Sequence, residues 1–106
     1  MAFVNFLEHK RFSEEKYQKV SLFETPGTAM DVYCLLPGQS QRLHSHDKTD
    51  KYYVVLEGEA TITVGEETRQ CGPGWATLAR PGVPHSIANQ STAPVVALVF
   101  QSPKTF

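Results

Sequence analysis

The apolar residues of this chain fall into short stretches separated by glycine and proline, beginning near Tyr17 and continuing to the C-terminal region. Within several stretches apolar and polar residues alternate, as in Glu59–Val64, where Ala60, Ile62 and Val64 share one face. Alternation with a period of two, bounded by turn residues, is typical of β-strands. The pattern predicts about eight to ten strands, which we place at Lys19–Thr25, Ala29–Leu36, Gln41–His46, Lys51–Leu56, Glu59–Val64, Thr68–Cys71, Trp75–Ala79, His85–Asn89 and Val95–Gln101.

Helical patterns are almost absent from the sequence. The one candidate lies near the N-terminus, where Phe3, Phe6 and Leu7 have helical spacing, although a short strand fits nearly as well. Many short strands at close spacing are typical of an all-β sandwich or barrel. We therefore expect one all-β domain over residues 1–106, with residues 1–16 as an N-terminal extension or a partner-contacting segment.

The composition argues against several classes of function. The net charge is −1 and there is no run of basic residues, whereas a general nucleic-acid-binding protein would show a basic stripe. The longest apolar runs, Tyr52–Leu56 and Val95–Phe100, are too short to span a membrane. The N-terminus has no recognisable export signal, so we expect a cytoplasmic protein in which Cys34 and Cys71 are reduced.

The N-terminal apolar residues also bear on assembly. Phe3, Val4, Phe6 and Leu7 lie outside the predicted barrel strands. An exposed apolar group of this kind tends to bind a partner, so we predict a homodimer. The tail Ser102–Phe106 is either loose or places Phe106 against a partner.

The candidate chemistry lies in three of the four histidines. His44 and His46 are one residue apart in a predicted strand, and His85 follows a proline-rich turn far downstream. Positions i and i+2 of a strand share a face, so the first two imidazoles project side by side. If the fold brings His85 beside them, the three can bind one metal ion, since neutral imidazole is a good ligand for transition metals. The alternative is that the histidines face solvent while Leu43 turns to the core.

The spacing of glycines and histidines resembles the two motifs of the cupin superfamily. The first motif comprises Gly38, His44, His46 and Gly58, and the second comprises Gly74, Pro81-Gly82, His85 and Asn89. The resemblance implies a double-stranded β-helix, or jelly-roll barrel, with one divalent transition metal ion at its mouth. The sequence does not distinguish Fe, Mn, Ni, Zn and Cu. Small cupins also commonly pair through N-terminal segments, which agrees with the predicted homodimer.

The sequence departs from the cupin pattern at the acidic ligand. Lys51 stands where the family has glutamate, and Asp50 precedes it; Arg80 stands where proline is usual. One interpretation is a three-histidine site in which the Lys51 head group reaches away from the metal, to water or to an acidic neighbour. The other is a one-residue bulge that turns Asp50 inward as a fourth ligand.

Two functions fit this sequence. The first is a metal-dependent dioxygenase or isomerase that acts on a small, chelating, anionic molecule. The second is a non-catalytic module that binds or senses a small molecule or a metal. Arg42 shares strand parity with the two histidines and would bind an anion if no bulge intervenes, or else lie exposed at the surface, and Tyr53 is a candidate for the pocket wall. No general base is evident, so no catalytic residue is assigned.

Overall fold

The computed structural model describes residues 2–104, so the expectation for Phe106 lies outside the described residues. Within that range a single 3-10 turn, Phe6–Glu8, precedes nine strands. The strands are β1 (Gln18–Glu24), β2 (Ala29–Leu35), β3 (Ser40–His44), β4 (Asp50–Glu57), β5 (Ala60–Val64), β6 (Glu67–Cys71), β7 (Ala76–Ala79), β8 (His85–Ala88) and β9 (Val95–Ser102). No helix of residues 2–104 has the length and hydropathy needed to cross a membrane.

The strands form two antiparallel sheets. One sheet has five strands in the order β1-β2-β9-β4-β7, and the other has four in the order β3-β8-β5-β6. The predicted all-β jelly-roll architecture is confirmed, and no predicted strand end differs from the observed one by more than two residues. Glycine and proline mark these ends because turns need backbone conformations that most strand residues do not adopt.

The main core lies between the two sheets. Strand alternation places Tyr33 and Leu35 of β2 and Tyr53 and Val55 of β4 on the inner faces, where each is at most 1% exposed. They pack against a set of mostly small apolar side chains from four other strands: Ala60, Ile62, Cys71, Ile87, Val95, Ala97 and Val99. Burial of a large apolar side chain contributes about 1.5–3 kcal/mol. Along β4 the inward positions change from apolar to polar at Lys51, which is 1% exposed.

A second apolar cluster covers the outer face of β2. Val32 and Cys34 of β2 and Val96 of β9 are fully buried there. They are covered by partly buried side chains from the N-terminal region, β1 and β4: Phe6, Phe12, Leu22 and Leu56. The Arg11 N–H donates to Cys34 Sγ at 3.4 Å. Strand β2 is therefore apolar on both faces because the N-terminal segment packs on its own barrel.

The predicted N-terminal apolar group is divided by this packing. Phe6 contacts the barrel, whereas Phe3 is 89% and Leu7 57% exposed. An ion pair between Lys10 Nζ and Glu57 Oε1, at 3.1 Å, ties the segment to the end of β4. The helical spacing yields only the one 3-10 turn. The homodimer stays a prediction.

Strand β3 carries a bulge next to the histidines. Its register pairs Gln41 with Ile87 and His44 with His85, so three residue steps on β3 match two on β8. An extra residue of this kind interrupts the alternation of faces. Gln41 and His44 therefore both approach the interior, although strict parity would place them on opposite faces.

Candidate functional site

The three motif histidines meet at one end of the barrel. β3 ends at His44 and β8 begins at His85, and the two residues are paired in register. His46 lies in the loop after β3 rather than in the strand, and its carbonyl accepts the Gly82 N–H at 2.7 Å. The ring centroids are 4.3 Å apart for His44 and His85, 5.0 Å for His44 and His46, and 5.5 Å for His46 and His85.

The ring nitrogens are arranged as a metal would need them. One nitrogen from each histidine lies within 4.8 Å of the other two, so the group could hold a metal ion. Nδ1 of His44 donates to the Arg42 carbonyl at 2.7 Å, and Nδ1 of His85 donates to the Val83 carbonyl at 3.0 Å. Since a carbonyl only accepts, these bonds leave Nε2 of each neutral ring with its lone pair. Nε2 of His85 is buried and has no hydrogen-bond partner among the described residues.

The surroundings keep the imidazoles neutral. Burial lowers the pKa of His85 to about 4, against the opposing effect of the Val83 carbonyl, and the positive charge of Lys51 adds to the lowering. Burial also lowers the pKa of His44 and of His46, again with a contribution from Lys51. A neutral imidazole is the form that ligates a metal. The site is thus in its ligating form at neutral pH.

Lys51 faces the interior beside the histidines. Its Nζ lies 3.3 Å from His44 Nε2 and 3.5 Å from Gln41 Oε1, above the rings of Tyr33 and Tyr53. The expectation that its head group reaches away to water is not what the structure shows, because the side chain is confined within the barrel. Burial is the main cause that lowers the pKa of Lys51 to about 8, so the amine is still largely protonated at pH 7.

Asp50 points to the other side of β4. Its Oδ1 forms an ion pair with Arg80 Nε at 3.3 Å, without the geometry of a hydrogen bond. β4 pairs regularly with β7 from Lys51 onward, so no bulge at Asp50 turns the carboxylate inward. The group of potential ligand atoms contains the three histidines and no carboxylate from residues 2–104. The structure therefore gives no support to Asp50 as a fourth ligand.

Gln41 is the residue of this site that the sequence did not reveal. It is 7% exposed, and its Oε1 accepts the Tyr53 hydroxyl at 2.6 Å while its Nε2 donates to the Tyr33 hydroxyl at 3.3 Å. Together with Lys51, these side chains form a buried polar network beneath His44. Only the β3 bulge brings Gln41 inward, and no residue pattern in that stretch signals the bulge.

The two candidate substrate-binding residues lie in different environments. Arg42 is exposed and lies at the rim of the cavity, because the bulge breaks the parity on which its inward orientation depended. Tyr53 is completely buried, with its hydroxyl bonded to Gln41. The Tyr53 side chain therefore packs behind the inner wall of the cavity. A direct contact of either residue with a ligand stays a prediction.

A cavity of about 660 Å³ opens beside His44 and His46. Lys51, Lys19 of β1 and Asp31 of β2 also line it. A groove of similar size, about 690 Å³, runs between β5, β6 and β7 but contains no histidine. The histidine cavity is the candidate site because perturbed titratable groups and potential metal ligands converge there.

Comparison with known proteins gives a consistent result. A family model described as a cupin domain matches residues 31–101. A protein of Streptomyces coelicolor, SCO3923, is 30% identical over 95 residues, which span 90% of this chain and 80% of that protein.

Solved structures match over nearly the whole chain. TT1209 from Thermus thermophilus is 38% identical with a TM-score of 0.96, over 99% of this chain and 100% of that chain. A protein with a double-stranded β-helix domain from Klebsiella pneumoniae is 23% identical with a TM-score of 0.89, over 97% of this chain and 90% of that chain. At that identity the second likeness bears on the fold alone.

Proposed function

The chain belongs to the cupin family, and on that premise we propose that it binds one divalent transition metal ion through His44, His46 and His85. We further propose that it acts on a small, chelating, anionic molecule as a dioxygenase or an isomerase. The observation that carries the proposal is the convergence of one imidazole nitrogen from each histidine within 4.8 Å, at a site where the buried Nε2 of His85 has no hydrogen-bond partner among the described residues. A buried acceptor without a partner is costly, and a metal would relieve that cost.

The residues of the chain provide a prepared set of ligands. The Arg42 and Val83 carbonyls fix the orientation of two rings, a role that outer hydrogen bonds play in many metal sites. A bound divalent ion would supply Lewis acidity toward an oxygen of the substrate. Three histidines leave other positions open, as is typical of catalytic sites. The cavity of about 660 Å³ is large enough for a small organic molecule.

Lys51 is the feature that opposes metal binding. Its amine, 3.3 Å from His44 Nε2, contacts the nitrogen that would ligate the metal. A protonated amine near a dication is also repelled. Binding therefore requires the Lys51 head group to leave Nε2, and we expect a weaker affinity than a carboxylate at position 51 would give.

A non-catalytic binding or sensing module is the second candidate. It is favoured by the pairing of Glu24 with Lys104, which leaves Asp31 as the one described carboxylate of the cavity outside an ion pair and so limits the candidates for a general base. This alternative uses the same histidines. It differs in predicting binding without turnover.

Metal binding by histidine variants tests the proposal. The purified protein is stripped with a chelator, titrated with Zn²⁺, Mn²⁺ or Fe²⁺, and compared with His44→Ala, His85→Ala and His9→Ala. His9 is exposed and lies outside the cavity, which makes it a matched control. We expect about one ion per chain for wild type and His9→Ala, and at least a roughly tenfold loss of affinity for each site variant. A correctly folded His85→Ala protein with full occupancy would overturn the two-segment site.

The metal found in the protein as purified separates the two candidate functions further. Tightly bound iron or copper favours an oxygenase, whereas zinc or manganese is compatible with an isomerase or a binding module. Oxygen consumption with a β-diketone probe then tests dioxygenase turnover, and keto–enol interconversion of the same probe, followed by absorbance, tests isomerase turnover. No turnover with any loaded metal favours the binding module.

A further inference from the structure

The cavity beside the histidines carries an excess of positive charge. Four basic side chains and two carboxylates line it: Lys19, Arg42, Lys51, Lys104, Glu24 and Asp31. With neutral histidines, the excess is two positive charges before any metal binds. A concave site with charge of one sign concentrates small ions of the opposite sign.

Three of these cations have no close counter-ion among the described residues: Lys19, Lys51 and the exposed Arg42 at the rim. Lys104 is paired with Glu24 at 3.0 Å. By contrast, no carboxylate oxygen of residues 2–104 lies within 4.0 Å of the amine of Lys19 or Lys51. Asp31 interacts with both lysines only at longer range. Neither amine is therefore neutralised by a carboxylate, although the Lys51 amine also contacts His44 Nε2 and Gln41 Oε1.

Lys19 and Lys51 converge although their strands are not neighbours. β1, which carries Lys19, and β4, which carries Lys51, are separated in the sheet by β2 and β9. Each amine lies 5.6 Å from the centre of the same Tyr33 ring. The Tyr17 ring, 5.6 Å from that of Tyr33, also lies beneath Lys19. Aromatic faces hold an ammonium group in place without neutralising it.

We propose that Lys19 and Lys51 form an anion subsite, so that the cavity takes a small dianion with one carboxylate at the histidines and the other between the two lysines. This inference rests on the proposed function, because the first carboxylate would bind at the metal and its histidines. The subsite itself consists of side chains of β1 and β4 and needs no metal. Lys51 lies deep, whereas Lys19 is exposed at the entrance and can adjust to the ligand.

Calorimetric binding of carboxylates tests the subsite. Malonate, succinate and glutarate are compared with propionate, which has a single carboxylate, in both metal-loaded and chelator-stripped protein. The variants are Lys19→Gln and, as a control with the same change of charge, Lys48→Gln. Lys48 is exposed near the motif histidines in sequence but does not line the cavity. Neither position contributes to the proposed metal ligands.

We expect the best dicarboxylate to bind metal-loaded wild type at least about tenfold more tightly than propionate. Lys19→Gln should reduce this preference to about twofold or less, with a much smaller effect on the affinity for propionate and none on the metal content. Lys48→Gln should keep the preference. Equal binding of mono- and dicarboxylates by a metal-loaded protein, or a preference that survives Lys19→Gln, would overturn the subsite while leaving the metal site intact. A protein that binds no metal, yet shows a Lys19-dependent preference, would retain the subsite and refute the metal function.

Discussion

Replacing Lys51 by methionine should stabilise the metal-free protein. In the folded state the pKa of Lys51 is lowered from 10.5 to about 8, mainly by burial. At 1.36 kcal/mol per pKa unit, holding the charged amine inside the barrel costs about 3 kcal/mol. Methionine has a similar unbranched shape and no charge. Loss of the long contacts to Gln41 and His44 should cost about 1 kcal/mol, which leaves a net gain of about 2 kcal/mol at pH 7.

The gain should depend on pH in a defined direction. Because the folded-state pKa of Lys51 is below the unfolded value, the cost is fully present below about pH 8. It falls as the pH rises from about 8 towards 10.5, and is absent where both states are neutral. The advantage of Lys51→Met should therefore be largest at pH 7 and much smaller at pH 10. The other titrating groups affect both proteins and largely cancel in the difference.

Urea unfolding in the presence of a chelator, followed by circular dichroism at pH 7 and pH 10, measures this difference. Lys48→Met is the control, because an exposed lysine of the same type should change stability by no more than about 0.5 kcal/mol at either pH. A Lys51→Met protein that is less stable than wild type at pH 7 would show that the contacts to Gln41 and His44 outweigh the burial cost. An advantage that does not shrink at pH 10 would refute the charge-based reasoning.

Three further predictions concern the metal, a turn and assembly. Lys51→Glu should raise metal affinity by roughly tenfold or more because it supplies a carboxylate, whereas Asp50→Ala should leave the metal affinity nearly unchanged. Calorimetric titration measures both affinities. A large loss of metal in a folded Asp50→Ala protein would contradict the three-histidine site. Gly58→Ala should destabilise the fold by about 3 kcal/mol or more, because Gly58 has φ of 80° and an added Cβ would collide with the Pro94 carbonyl. A denaturant midpoint of unfolding within error of wild type would contradict this prediction. Light scattering at micromolar concentration should give a dimer mass that Phe3→Ser reduces, since Phe3 is 89% exposed, and a wild-type monomer would refute it.

The strands were predictable from local patterns, but the inner wall of the site was not. Glycine and proline mark nearly every turn, so strand positions follow from the sequence alone. The motif spacing likewise indicated that His85 would meet His44 and His46. By contrast, the inward position of Gln41 depends on a bulge that no residue type announces.

The positions of the charged side chains in the cavity were equally hard to predict from the sequence. Lys19 reaches the cavity only because β1 forms the edge of the sheet. Its strand pairs there with β2, across the turn that joins the two strands. Lys51 stays inside because the rings of Tyr33 and Tyr53 and the side chain of Gln41 surround it, whereas a lysine taken by itself is expected to extend to water. Such contacts arise from tertiary packing, which local periodicity does not encode.

The two thiols report on different parts of the molecule. Cys34 lies beneath the N-terminal segment, whereas Cys71 lies between the two sheets. A thiol reagent can reach Cys34 once residues near Arg11 lift from β2, whereas Cys71 is 1% exposed beside the groove between β5, β6 and β7 and is reached when the edge strand β6 opens. The ratio of the two labelling rates therefore compares detachment of the N-terminal segment with opening of the β6 edge, in the unmodified chain and without an added probe. A partner that binds over Phe3 and Leu7 would be detected as slower labelling of Cys34 alone.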